Sequence, residues 1–176
     1  MNRYEELRLA LFDCDENNIR TVKECLRRLK ITDIQVAEDF SLSFDSLKYL
    51  VDADVVVVHW TSNSNDPLNF CRSLRFHPRS PNRFVPIIMI SEMAIQSAVE
   101  AARDAGVDEF LTRPFSARSL EERLHMVVYQ RRGFVRTDEF FGPDRRRGAM
   151  ARMLGTERRS EPTELIDPAT GTAYLD

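Results

Sequence analysis

Two groups of residues that can do chemistry follow apolar runs of the chain. Asp13, Cys14 and Asp15 come after the run that ends at Phe12, and His59 comes directly after four consecutive valines. Imidazole and thiolate are good ligands for zinc, and imidazole can also act as a phosphoryl nucleophile. The residue types therefore leave two hypotheses open, a transition-metal or redox site made of Asp13, Cys14 and His59, and phosphoryl transfer on His59.

The elements that position these residues follow from the hydrophobic pattern. Between Leu7 and about Arg132, short apolar runs alternate with stretches in which apolar residues recur every three or four positions. This alternation predicts about five strand-helix units, with a parallel sheet covered by helices on both faces. The predicted strands are centred on residues 7–12, 34–37, 55–58, 85–90 and 110–111.

Over about Leu7 to Arg132, the chain resembles the receiver domain of bacterial two-component response regulators. Four stretches carry the resemblance: RLALFDCDENNIR, ADVVVVHW, VPIIMIS and GVDEFLTRPF. It implies a flavodoxin-like, doubly wound fold with five parallel strands in the order 2-1-3-4-5. It also implies a bacterial signalling role.

Several positions match the receiver pocket. In that family, two carboxylates after the first strand hold Mg²⁺, and an aspartate after the third strand accepts the phosphoryl group. A hydroxyl residue after the fourth strand and a lysine before a proline after the fifth contact that group. By resemblance, Asp13 matches the first carboxylate, Ser91 matches the hydroxyl residue, and Phe110 matches an aromatic residue that switches position.

Three positions depart from the receiver pattern. Cys14 stands at the second carboxylate unless Asp15 takes that role, Arg113 replaces the lysine before Pro114, and His59 stands where the phosphoacceptor aspartate is expected. A neutral imidazole supplies neither the negative charge that helps to hold Mg²⁺ nor a carboxylate oxygen for an acyl phosphate. We therefore expect no enzymatic phosphoryl chemistry and no cofactor.

Without a metal, the acidic residues Asp13 and Asp15 need another counter-charge. The guanidinium of Arg113 can form a bidentate pair with a carboxylate. We hypothesise an internal pair between Arg113 and Asp13 that takes the place of the ion. The alternative is an Arg113 side chain that points into solvent.

The bulk composition limits the partners and the compartment. The 176 residues include 28 acidic and 25 basic side chains, and the formal net charge of -3 gives no electrostatic reason to expect nucleic acid. The three cysteines lack the paired spacing of zinc or redox motifs. No apolar run approaches the roughly 20 residues that span a bilayer, and no secretory signal is visible. We expect a cytoplasmic protein with reduced thiols and no membrane insertion.

Two units are predicted, a receiver-like domain at 1–132 and an extended or disordered tail at 133–176. Helical and strand periodicity stops after Arg132. The tail contains two similar motifs, FGPDRR from Phe141 to Arg146 and LGTERR from Leu154 to Arg159. Its seven arginines are balanced by eight acidic residues, unlike a basic DNA-binding arm.

Two surfaces are candidates for protein contacts. The resemblance implies that the fourth helix, fifth strand and fifth helix, between Ile95 and Arg132, bind a target or form a homodimer. In the tail, arginines can pair with carboxylates and phenylalanines can anchor in apolar grooves. The predicted docking residues there are Phe140, Phe141, Arg145, Arg146, Arg147, Arg158 and Arg159. The sequence thus predicts phosphorylation-independent regulation through protein partners, with a metal or redox sensor and an atypical phosphotransfer protein as alternatives.

Overall fold

The computed structural model describes residues 4–41, 44–144 and 164–174. Its larger part is a five-stranded parallel sheet. The strands are β1 (Arg8–Phe12), β2 (Asp33–Ala37), β3 (Val55–Trp60), β4 (Ile87–Ser91) and β5 (Glu109–Thr112). They pair in the order β2-β1-β3-β4-β5, which confirms the predicted doubly wound α/β fold.

Five helices follow the strands. They are α1 (Glu16–Arg28), α2 (Phe44–Leu50), α3 (Asp66–Phe76), α4 (Gln96–Asp104) and α5 (Ala117–Tyr129). Side-chain caps fix two of the helix starts, because Asp15 accepts a hydrogen bond from the Asn18 amide and Ser116 accepts one from the Ser119 amide. In the part of the chain that the structure describes, no helix is both long enough and apolar enough to cross a membrane.

The core lies on both faces of the large sheet, because side chains alternate between the faces along each strand. One cluster contains Phe12, Val56 and Val58 and packs under α3 and α4. The other contains Leu11, Val57 and residues of α1 and α5. All six residues of β3 are buried, as expected for a central strand covered on both sides.

The apolar residue that follows α2 is exposed. The side chain of Val51 is 62% exposed. The reason is that α2 ends at Leu50, which is itself buried. Val51 follows the last helical turn and no longer shares its inward face.

The tail differs from its prediction in residues 133–144 and 164–174. These residues form a second sheet of four antiparallel strands, β6 (Phe134–Arg136), β7 (Phe141–Pro143), β8 (Glu164–Ile166) and β9 (Ala173–Tyr174), in the order β7-β6-β8-β9. Phe134, Phe141 and Ile166 form a buried cluster against Phe84. Each strand has only two or three residues, too few to produce the periodicity from which strands are predicted.

A fully buried arginine joins the two sheets. Arg75, at the end of α3, donates hydrogen bonds to the Gly106, Arg83 and Val85 carbonyls and to the Asp108 carboxylate. Its guanidinium carbon also lies 5.1 Å from the centre of the Phe134 ring. Asp108 directly precedes β5, so the small sheet contacts the amino-terminal edge of the large sheet.

Gly106 is required at this junction. It lies two residues after the end of α4 and has a φ of +81°, a conformation that residues with a side chain rarely adopt. A Cβ atom at this position would also lie 2.8 Å from Cγ of Arg75. Both the backbone conformation and the packing against Arg75 therefore require glycine at this position.

Candidate functional site

The polar residues predicted to share a pocket do lie at one edge of the large sheet. The carboxyl ends of parallel strands meet at one edge. Asp13 and Cys14 follow β1, whereas His59 is the fifth residue of β3 and pairs with Ile90 of β4. Ser91 ends β4 opposite Thr112 of β5, and Arg113 comes next.

The centre of the edge is a buried contact between Asp13 and His59. The two side chains are 2% and 5% exposed, and Nδ1 of His59 lies 3.2 Å from Oδ1 of Asp13. Since a carboxylate only accepts hydrogen bonds, Nδ1 is the donor. Nδ2 of Asn18 lies 3.2 Å from Nδ1 and 3.4 Å from Nε2 of the ring. The imidazole thus lies between a carboxylate and an amide.

Asn18 was not identified from the sequence. It lies in the first turn of α1, three residues after the capping residue Asp15. Polar residues are common in the first turn of a helix, and so its type alone gave no signal. Its role depends on α1 passing over the end of β3, a tertiary relationship.

The predicted pair between Arg113 and Asp13 is not present. Among the described residues, no ion pair within 4.0 Å joins them; Asp13 faces His59, and the Arg113 guanidinium lies 5.2 Å from the Phe115 ring centre. Oδ2 of Asp13 and two guanidinium nitrogens of Arg113 are buried without a hydrogen-bond partner in this part of the chain. The prediction is wrong because each side chain has another neighbour, an imidazole for Asp13 and an aromatic face for Arg113.

Cys14 and Asp15 are directed away from His59. The thiol of Cys14 is exposed and donates to the Glu38 carbonyl at 3.2 Å, while Asp15 caps α1. Burial, followed by the charges of Asp13 and Glu38, raises the pKa of the Cys14 thiol above its ordinary value. Within the described ranges, no cluster of three or more His, Cys, Asp or Glu side chains could hold a metal ion. The hypothesis of a transition-metal site at Asp13, Cys14 and His59 therefore finds no support.

The Mg²⁺ that the receiver resemblance implies does not fit these residues. Mg²⁺ needs near-octahedral oxygen ligands, usually including one or two carboxylates. Oδ1 of Asp13 already accepts from the Asp15 amide at 2.9 Å and faces His59. One carboxylate oxygen, Oδ2 of Asp13, is left, and the side chain that faces Asp13 offers an imidazole nitrogen in place of a carboxylate.

Ser91 and Phe110 occupy the places that the resemblance implies. Oγ of Ser91 is fully buried, donates to the Trp60 carbonyl at 2.7 Å and accepts from the Met93 amide at 3.2 Å. Phe110 lies in β5 and is half-buried against the core cluster under α4. The hydroxyl is therefore engaged by the backbone, while the aromatic ring is still partly accessible.

The structure describes only two of the tail residues that were predicted to contact a partner, Phe140 and Phe141. Phe141 is 2% exposed and packs against Phe84 and Phe134, so it serves the small sheet and is not free to anchor in a partner. Phe140 is half-buried. The arginines of this prediction, Arg145, Arg146, Arg147, Arg158 and Arg159, lie outside the described residues.

Comparisons with known proteins agree with the fold. The sequence matches no protein-family model. It is 28% identical over 124 residues to the chemotaxis protein CheY1 of Helicobacter pylori, a match that covers 69% of this chain and 97% of that protein. It is 26% identical over 123 residues to CheY-3 of Vibrio cholerae, with coverage of 70% and 92%. These relatives are response regulators of the CheY type.

Solved structures show the same fold. The receiver domain of the sensor histidine kinase PA1611 from Pseudomonas aeruginosa, which carries a magnesium ion in its active site cleft, superposes with a TM-score of 0.57 at 20% identity. That match covers 69% of this chain and 97% of the domain. The Vibrio cholerae protein CheY4 gives a TM-score of 0.57 at 17% identity, with coverage of 69% and 98%. The large sheet and its helices therefore have the flavodoxin-like receiver fold.

Proposed function

We propose that this protein is a phosphorylation-independent signalling protein that acts through protein contacts and is not an enzyme. The observation that carries the proposal is the imidazole of His59, which is buried between Asp13 and Asn18 at the position where receivers have the phosphoacceptor. An acyl phosphate needs a carboxylate oxygen there. The receiver pocket is thus replaced by an internal hydrogen-bonded cluster.

The relatives support the signalling part of this proposal. Both named relatives are chemotaxis proteins, and each is matched over more than nine-tenths of its own length. A receiver without phosphoryl chemistry still has surfaces that can bind other proteins, and it can transmit a signal through them. Function is therefore assigned to binding partners.

The face made by α4, β5 and α5 is the first surface that we assign to such contacts. Ile95, which precedes α4, and Val99 within it are 59% and 42% exposed. Phe110 of β5 is half-buried beside this helix. Exposed apolar side chains that cluster on one face are typical of an interaction site for a target or a second copy.

The proposal is tested by phosphodonor treatment of the full chain. Acetyl phosphate with Mg²⁺ is added, and intact mass is measured beside a receiver that has all its pocket carboxylates. We expect the control to gain a phosphoryl group and this protein to gain none. An adduct on any aspartate would overturn the proposal.

The same measurement separates the alternative of histidine phosphotransfer. An acid-labile adduct that disappears in the variant His59→Asn would assign phosphotransfer to the imidazole and overturn phosphorylation independence. Asparagine retains a hydrogen-bonding side chain at this buried position, so the variant is expected to stay folded. Circular dichroism before the assay checks this.

The contact surface is tested separately. The variant Val99→Asp places a charge on the exposed face of α4, and the variant Val51→Asp places one at a comparably exposed apolar residue far from that face. We expect Val99→Asp to abolish self-association or target capture and Val51→Asp to leave it unchanged. Equal behaviour of both variants would exclude this face.

A further inference from the structure

A cleft lies beside the pocket edge, between the loop after β2 and one side of α3. Its volume is about 750 Å³. Glu38 and Phe40 contribute from the loop, and Asp66, Phe70 and His77 contribute from α3 and the residue that follows it. The cleft is outside the Asp13 and His59 cluster, and its lining includes no residue of α4, β5 or α5.

The α3 side of the cleft is a continuous stripe. Asp66, Phe70, Ser73 and His77 recur at steps of three and four, so they lie on one side of the helix. At about 1.5 Å per residue, the eleven steps from Asp66 to His77 span roughly 16 Å. This length suits a short stretch of chain better than a compact small molecule.

Aromatic rings form a fixed floor. Phe70 is 1% exposed, and its ring centre lies 4.4 Å from that of Phe12 and 6.0 Å from that of Phe40. Phe40 is half-buried and offers its outer side to the cleft. An apolar side chain of an occupant can pack there without rearrangement of the core.

The two ends of the cleft carry opposite charge. Glu38, Asp39 and Asp66 lie at the end near the pocket edge, because Glu38 directly follows β2 and its carbonyl accepts from the thiol of Cys14. His77 and Arg79 lie at the other end. Nδ1 of His77 accepts from the Arg79 amide at 3.1 Å, so Nε2 is the ring nitrogen that can donate to an occupant, and the charge at this end is that of Arg79.

We propose that this cleft binds an extended segment of a partner protein with a basic side chain at the Glu38 and Asp66 end and a carboxylate at the Arg79 end. An extended chain advances about 3.3 Å per residue, and so the two charges are roughly five residues apart. An apolar side chain between them packs on Phe40. The inference rests on the proposed function, because it identifies one of the protein contacts that function requires.

Among the described residues, neither Glu38 nor Asp66 takes part in an ion pair, and the same is true of Arg79. Their charges are therefore available to an occupant. Complementary charges at both ends also fix the direction in which a segment binds.

The test uses the full chain and two synthetic peptides with blocked ends. One peptide has an arginine and a glutamate five residues apart with a leucine between them, and the other has the same composition with the two charges adjacent. Binding is measured by titration calorimetry, and amide chemical shifts locate it. We expect the spaced peptide to bind at least fivefold more tightly and to shift residues 38–41 and 66–79.

Charge variants provide the second arm. Asp66→Asn, Glu38→Gln and Arg79→Gln are each expected to weaken binding of the spaced peptide roughly fivefold, since a partly exposed ion pair contributes about that factor. Asp138→Asn and Arg118→Gln remove exposed charges outside the cleft and are the matched controls. Thermal unfolding of every variant checks that the fold is intact.

Equal affinity for both peptides, shifts outside the cleft, or unchanged binding by the charge variants would overturn the inference. Phosphodonor treatment tests the proposed function separately from peptide binding. A protein that gains no phosphoryl group and also fails to bind the spaced peptide would remain a phosphorylation-independent receiver without this docking site. A phosphoryl adduct would overturn the proposed function whatever the peptide does.

Discussion

The guanidinium of Arg75 and the carboxylate of Asp108 form a buried ion pair, with Nη2 2.9 Å from Oδ2. Burial raises the pKa of Asp108, and the charge of Arg75 opposes that effect. Oδ2 of Asp108 also accepts from the Ile87 amide at 2.8 Å. The pair therefore joins α3, β4 and the start of β5 at the place where the small sheet packs.

Replacement of Arg75 by methionine is expected to destabilise the protein strongly. Methionine replaces the apolar stem of arginine but leaves a buried carboxylate and three carbonyls without their donor, and breaking one side of a buried pair typically costs about 3–5 kcal/mol. Urea unfolding measures the loss. The matched control is Arg72→Met on the exposed side of the same helix, which should change the unfolding free energy by no more than about 0.5 kcal/mol. Similar losses in both variants would contradict the role of the pair.

The small sheet is expected to contribute to the stability of the whole chain. Phe134 is fully buried and packs on Arg75 and Phe84. Phe134→Ala should cost about 3–5 kcal/mol, as for other buried phenylalanines. Unfolding followed through Trp60, the single tryptophan in the large sheet, reports whether the loss reaches that sheet. Unfolding of the small sheet alone, with the Trp60 transition unchanged, would show that the two sheets are independent.

Because Phe134 and Phe141 pack against the large sheet, point substitutions test the tail better than truncation does. Truncation at Arg132 would remove Phe134 and Phe141 and uncover Arg75 and Phe84, so loss of a partner could result from a damaged fold. Substitution of Arg158 and Arg159 by glutamine removes the predicted docking charges and leaves the described strands intact. We expect these variants to keep wild-type stability, measured by thermal unfolding.

We expect a Mg²⁺ site of the receiver type to form only when two positions are substituted together. His59→Asp places a second carboxylate beside Asp13 with no cation, and like charges at this distance destabilise the fold. Adding Cys14→Asp completes a set of three carboxylates that can hold Mg²⁺. We expect the double variant to gain unfolding free energy on addition of Mg²⁺, while wild type and His59→Asp do not. A Mg²⁺ response of the wild type would contradict the fit described for these residues.

The sequence predicts the large sheet because its strands are long, apolar and β-branched, as in Val55 to Val58. It also predicts which residues share the pocket edge, since strand ends converge in a parallel sheet. It fails for contacts that depend on side-chain direction. Arg113 turns to Phe115 and Asp13 turns to His59, and spacing along the chain carries no information on either choice.

The small sheet could not be predicted for a related reason. Phe134 and Phe141 stand among polar residues, and strands of two or three residues have no period to detect. Their burial depends on Phe84 and Arg75, which lie far away in the sequence. Arginine is seldom fully buried, and so the residue type at position 75 does not predict that Arg75 lies in the core.

The thiols of Cys14 and Cys71 are expected to differ in reactivity. Cys71 is completely buried, and burial raises its pKa to about 12, so it should resist iodoacetamide in the native protein. Cys14 is exposed, and its raised pKa means that its labelling rate should rise at a higher pH than for an ordinary thiol, because only the thiolate reacts. Glu38→Gln removes one of the charges that raise this pKa and should shift the rate profile to lower pH.

Peptide mapping by mass spectrometry assigns the labelled cysteine, and Glu6→Gln is the control. An unchanged rate profile in Glu38→Gln would show that Glu38 does not act on the Cys14 thiol.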